Sequence, residues 1–142
     1  MPSGRILVVD DEEDTLSALG FCLAQEGFTV IEARDGIEAL EKVRTESPHV
    51  VVLDVMLPGL NGYEVSRRVK EGSLPGVASA EVKILLLTAR RVDSLEREEF
   101  LASWSQADGV IYKPFEMDDL LRQVTRLSAL ARTRTEAPAG TT

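Results

Sequence analysis

Five polar residues stand at the ends of four short apolar runs. RILVV precedes Asp10 and Asp11, HVVVL precedes Asp54, VKILLL precedes Thr88, and GVIY precedes Lys113. Three carboxylates gathered at one place repel, and each raises the pKa of the others. A bound divalent cation removes that conflict. Oxygen ligands alone select a hard ion, and a site with few protein ligands and several waters suits Mg²⁺. Thr88 and Lys113 are donors that could hold an anion beside such a metal. A metal, an anion clamp and a carboxylate together make a phosphoryl-transfer constellation, with a carboxylate as the possible nucleophile.

For these residues to meet, the apolar runs must be strands that end at one rim. The runs at 5–9, 28–33, 49–54, 82–87 and 109–112 are short, mostly aliphatic and without alternation, as expected of strands covered on both faces of a parallel sheet. Helical patterns lie between them. Leu16, Leu19 and Leu23 share a face of the first. Ile37, Ala39, Leu40 and Val43 mark the second, with Asp35 placed to cap it. Val65 and Val69 mark the third. Phe100, Leu101 and Trp104 mark the fourth, which starts near Asp93 and Ser94. Leu120, Leu121, Val124, Leu127 and Ala131 mark the fifth, with Asp118 and Asp119 near its N-terminus. Five strands alternating with five helices predict a doubly wound α/β domain over residues 1–131. Ligands of such sheets bind at the C-terminal strand ends, and four of the five strands deliver polar groups there; the second ends in the ordinary Glu32 and Ala33. Residues 71–81, EGSLPGVASAE, read as a loop, and 132–142 as a flexible tail or linker.

Composition narrows the function. A chain of 142 residues with 44% hydrophobic residues makes one domain with a proper core. A net charge of −8 argues against a nucleic-acid surface. The single cysteine, Cys22, excludes an internal disulfide and suits a reducing cytosol, so a cytoplasmic location is expected. No run is long enough to suggest a membrane span or a signal peptide. Individual residues also have plain structural readings. Glu12, Glu13 and Asp14 are acids that favour a helix N-terminus. His49 has no cysteine partner and reads as a strand-start residue. Trp104 reads as a packing residue on the fourth helix. Thr88 could be a turn residue and Lys113 a solvated lysine, but neither reading accounts for their places at strand ends.

The motifs VVDDEED, LDVMLPGLNGYE, LLLTA and IYKPF, in this order across roughly residues 4–131, resemble the receiver domain of two-component response regulators, including the chemotaxis regulators. The resemblance implies a flavodoxin-like sheet of order 2-1-3-4-5. It implies that Asp54 accepts a phosphoryl group from a phosphohistidine of a sensor histidine kinase or phosphotransfer protein. It implies Mg²⁺ held by Asp11, Asp54 and the backbone carbonyl of Met56, with Asp10 reaching it through water. Thr88, Lys113 and the backbone N–H of Ala89 would contact the phosphoryl oxygens, and the Lys113–Pro114 bond would be cis. One departure stands out: the aromatic residue the family often carries three positions before the lysine is Val110 here, and Tyr112 adjoins Lys113 instead.

The expected function is a phosphorylation-controlled switch that catalyses no more than its own phosphorylation and dephosphorylation. Its output would pass through the face of the fourth helix, fifth strand and fifth helix to a downstream protein, an output domain or a second copy. No helix-turn-helix or other effector pattern follows Arg132. Two alternatives come from other classes. One is an Mg²⁺-dependent phosphatase with an aspartyl nucleophile, against which Met56 stands where such hydrolases usually carry a second acid. The other is a scaffold that has lost phosphorylation, against which the complete set of Asp10, Asp11, Asp54, Thr88 and Lys113 argues.

Overall fold

The structure is a computed structural model that describes residues 4–78, 81–89 and 95–141, with Leu95 and residues 132–141 described by backbone alone. Five strands and five helices alternate: β1 (Arg5–Val9), α1 (Glu13–Gln25), β2 (Thr29–Ala33), α2 (Gly36–Glu46), β3 (Val50–Asp54), α3 (Gly62–Lys70), β4 (Lys83–Ala89), α4 (Leu95–Ser105), β5 (Gly109–Lys113) and α5 (Met117–Thr141). All strand pairs are parallel, and their order is β2-β1-β3-β4-β5. This is the doubly wound fold and the strand order expected. β3, the central strand, is buried at every position.

Period-two alternation divides the sheet into two apolar faces. Leu7, Val9, Val51, Leu53, Ile84 and Leu86 pack with residues of α2, α3 and α4. Ile6, Val8, Val50, Val52, Leu85 and Leu87 pack with α1 and α5. The expected inner faces of α1, α3 and α5 are found, with Leu121 only partly buried. Asp35 caps α2 by accepting from the Glu38 backbone N–H at 2.8 Å.

Two helices sit at a different rotation from the one their apolar residues suggest. In α2 the buried residues are Gly36, Ala39 and Val43, and Ile37 is 66% exposed. A Cβ at Gly36 would lie 2.4 Å from the Leu60 carbonyl oxygen, so the glycine takes the inner position and turns Ile37 outward. In α4 the inner positions are Glu98, Leu101, Ala102 and Ser105, while Phe100 faces solvent. Half of that inner face is polar, so an apolar count misplaces it. The expected start of α4 near Asp93 and Ser94 lies outside the described residues. The C-terminal end of α4 is tied to α3. Ser66 Oγ donates to the Ser105 carbonyl at 3.0 Å, and the Arg67 guanidinium donates to the Trp104 carbonyl at 2.8 Å while lying 4.8 Å from the Trp104 ring centre. The backbone of α5 is helical to Thr141, where the sequence suggests a tail from Arg132; its described apolar contacts with the sheet end near Ala131.

At the N-terminal ends of the strands the polar groups answer one another. Lys70 Nζ meets Asp108 Oδ2 at 3.0 Å and the Val82 carbonyl at 3.0 Å, and the same aspartate oxygen accepts from the Ile84 N–H at 2.8 Å. His49 Nδ1 accepts from the Arg5 N–H at 2.9 Å, and the Arg5 side chain donates to the Glu46 and Ser47 carbonyls.

Candidate functional site

The opposite rim collects the residues singled out by their spacing. Asp10 continues the sheet beyond β1, its N–H bonded to the Ala33 carbonyl at 3.1 Å. Its side chain is fully buried, with Oδ1 accepting from the Glu12 N–H at 2.9 Å and Oδ2 without a hydrogen-bond partner. Asp54 ends β3 and is 4% exposed; its Oδ1 accepts from the Met56 N–H at 3.2 Å and from Lys113 Nζ at 3.3 Å. Asp11 is exposed beside them. One carboxylate oxygen from each of Asp10, Asp11 and Asp54 lies within 4.8 Å of the others. The burial of Asp54 at a strand end is thus met by an ammonium, a backbone N–H and neighbours able to share a cation.

The loop after Asp54 is built for close approach. Asn61 and Glu64 form a capping box at the start of α3, with the Asn61 side chain accepting from the Glu64 N–H at 3.0 Å. A Cβ at Gly62 would lie 2.5 Å from the Asp54 carbonyl oxygen, so only glycine lets α3 begin against the end of β3. Met56 projects from this loop with its side chain 66% exposed.

Burial pushes the Asp10 carboxyl up to about 6. The Glu12 N–H works against that rise, Asp54 adds to it, and Lys113 opposes it. A buried carboxylate oxygen with no partner, set among two more carboxylates, fits a hard cation with a bound water. Asp10, Asp11 and Asp54 are therefore the residues that would hold Mg²⁺, and all their donor atoms are oxygen.

Thr88 is buried at the end of β4 but on the other face of the sheet. Along β4, Ile84 and Leu86 face α2–α4, and Thr88 shares their parity; Asp10, Asp54 and Lys113 share the parity of the α1–α5 face. Thr88 stands in register with Tyr112 of β5. Its hydroxyl makes a long contact of 3.5 Å with the Ala89 carbonyl. Burial raises the pKa of Tyr63 in α3, the neighbouring Thr88 hydroxyl works against that rise, and the charges of Glu98 and Tyr112 add to it. The sequence reading did not single out Tyr63. Its signal was a tyrosine directly after Gly62, at the start of the helix that follows Asp54.

Residues 6–125 match the response regulator receiver domain family. The chain belongs to that family. It is 38% identical over 135 residues to the alkaline phosphatase synthesis transcriptional regulatory protein PhoP of Bacillus subtilis, covering 93% of this chain and 52% of that one. It is 40% identical over 134 residues to the response regulator MprA of Mycobacterium ulcerans, covering 94% and 53%. The chain thus spans about half the length of these relatives. Among solved structures, the Vibrio cholerae chemotaxis protein CheY4 superposes with a TM-score of 0.74 at 27% identity, over 89% of this chain and 99% of that one. The signal receiver domain of a histidine kinase from Syntrophus aciditrophicus gives 0.77 at 27% identity, over 89% and 90%. As a receiver domain of two-component response regulators, the chain has the cis Lys113–Pro114 bond expected of it, and no helix among the described residues is long and apolar enough to cross a membrane.

Proposed function

We propose that Asp54 is the phosphoryl acceptor of this receiver and that phosphorylation there is the signal. The observation that carries this reading is one buried carboxylate flanked by Lys113 at 3.3 Å and by two further carboxylates. An Asp54 oxygen attacks the phosphorus of a phosphohistidine on a sensor kinase. The phosphorus–nitrogen bond breaks with its electron pair going to the imidazole, which takes up a proton. Mg²⁺, when bound, offsets charge on the phosphoryl oxygens. Asp11, Asp54 and the Met56 carbonyl would hold it, with Asp10 reaching it through water. Lys113, the Thr88 hydroxyl and the Ala89 N–H receive the phosphoryl oxygens. Hydrolysis of its own acyl phosphate is the one further reaction assigned to this chain. Met56 has no proton to give a leaving group, which weighs against a phosphatase of external substrates.

The face of α4, β5 and α5 carries the output, in the cytoplasm, to a downstream protein, an output domain or a second copy. Residues 132–142 serve as the linker on that side. The regulators PhoP and MprA, about twice as long, support an output domain as the recipient. Intact-mass spectrometry after incubation with a small phosphodonor and Mg²⁺ tests the acceptor. One added phosphate is expected, absent in Asp54→Asn and without Mg²⁺. A phosphate that persists in Asp54→Asn refutes the assignment.

A further inference from the structure

The turn between β1 and α1 is tied down differently from the starts of the next two helices. The side chains of Asp35 and Asn61 cap α2 and α3, whereas Glu12, at the cap position of α1, makes no side-chain cap bond. This turn carries Asp10 and Asp11, so whatever holds it bears on the metal site. On its upstream side the Asp10 N–H reaches the Ala33 carbonyl at 3.1 Å, and Asp10 Oδ1 accepts from the Glu12 N–H at 2.9 Å. On its downstream side the tie is an ion pair. The Glu13 carboxylate accepts from Arg34 Nε and Nη2, each at 2.9 Å, in a two-bond fork. Arg34 is itself held. Its backbone N–H donates to Glu38 Oε1 at 2.7 Å, and its guanidinium also meets Glu32 at 3.3 Å. It stands between Ala33 and the turn in which Gly36 lies against the Leu60 carbonyl. Asp11, between the two ties, is exposed, and no hydrogen bond to its carboxylate is found among the described residues. The direction of that carboxylate therefore depends on the backbone of the turn.

We propose that Arg34 is a positioning residue for the metal site: its fork to Glu13 fixes the start of α1 and so the turn that presents Asp11 to Mg²⁺. This rests on the rim of Asp10, Asp11 and Asp54 being a Mg²⁺ site. An exposed ion pair contributes little to global stability. It still matters to a metal when it orders a ligand in advance, because a ligand already held loses less freedom on binding. A planar guanidinium grips a carboxylate at two points, which an ammonium cannot do. The charge of Arg34 acts in the opposite direction, since a cation near the rim repels Mg²⁺. Geometry and field therefore give opposite signs for the loss of Arg34.

The test is calorimetric titration of the whole metal-free chain with Mg²⁺. Arg34→Ala is expected to weaken affinity by about threefold to tenfold. Arg34→Lys keeps the charge and loses the fork, and is expected to weaken it by about twofold to fivefold. Melting temperatures without metal are expected to stay within about 4 °C of the parent, which separates a local effect from a general loss of structure. Glu13→Gln breaks the fork from the other side, and its effect is expected to shrink by at least about twofold in an Arg34→Ala background. Affinity in Arg34→Ala equal to or tighter than that of the parent overturns the inference, since the field alone then accounts for Arg34. So does an Arg34→Lys protein that matches the parent, a Glu13→Gln effect undiminished in Arg34→Ala, or a loss of affinity that comes only with a larger fall in melting temperature. If the parent takes up no Mg²⁺, or Asp11→Ala leaves its affinity unchanged, the metal-site reading itself fails, an outcome distinct from each of these.

Discussion

Two lysine–aspartate pairs brace the same sheet from opposite ends. Lys70 and Asp108 lie 3.0 Å apart at the N-terminal ends of the strands, and Lys113 and Asp54 lie 3.3 Å apart at the C-terminal ends. The first pair is complete in itself. Its lysine also reaches the Val82 carbonyl and its aspartate the Ile84 N–H, joining α3 to β4 and the start of β5. The second pair is outnumbered, since Asp10 and Asp11 share its space and one Asp10 oxygen is buried without a partner. A rim whose charges are matched contributes stability. A rim with surplus negative charge costs stability, and a bound cation would offset that charge.

The two rims should therefore answer removal of an acid with opposite signs. Asp108→Ala leaves the Ile84 N–H without its acceptor and takes the carboxylate from Lys70, and is expected to lower unfolding free energy by about 2–4 kcal/mol. Phosphoryl uptake on Asp54, measured by mass, should be retained. A loss in urea melts smaller than about 0.5 kcal/mol would mean that the pair is a surface contact in effect.

Asp10→Asn should do the reverse and stabilise the metal-free protein by about 1–3 kcal/mol at neutral pH, while weakening its response to Mg²⁺. The same group sets a pH dependence. Its folded pKa of about 6 stands above the ordinary 3.8, so between those values the folded state binds more protons than the unfolded one. Stability from this group is then greatest at low pH and falls as pH rises from about 4 to about 6. The asparagine variant should flatten that limb in melts recorded without metal, and an unchanged slope would assign it to another group.

A smaller effect is expected at the matched rim from His49→Phe. It leaves the Arg5 N–H without its acceptor at the start of β1 and should cost about 1 kcal/mol, with phosphorylation unaffected.

The smallest effect concerns α4. Arg67 lies over the Trp104 ring and holds its carbonyl, so this end of the helix is fixed against α3. Trp104 emission should respond only weakly to beryllofluoride in the parent protein. Arg67→Ala should cost about 0.5–1 kcal/mol and enlarge that response. A large change in the parent would show that both ends of α4 move.

Much of this organisation was legible in the order of residues. The aliphatic runs, the acids and the lysine at their ends, the Asp35 cap and the glycines after Asp54 are local patterns, and the parallel sheet converts them directly into a rim of charge. The four receiver motifs, met in order, carried the family as well.

What the sequence alone left open was the rotation of elements and the partnership of distant side chains. Ile37 and Phe100 belong to apolar helical patterns, yet both face solvent. The close approach of Gly36 to Leu60 and the polar inner face of α4 decide the phase there, and neither is a matter of apolar spacing. Lys70 and Asp108 are 38 residues apart, and Ser66 and Ser105 are 39 apart. No pattern along the chain pairs them, because hydrogen bonds between elements depend on strand register and helix placement. The same holds at the site. Thr88 and Lys113 both end strands, and the sequence presents them as equivalent donors. The pleat of the folded sheet sends Lys113 toward Asp54 and Thr88 toward the α2–α4 face, since side-chain direction alternates residue by residue and the alternation acquires a face only when the sheet is packed.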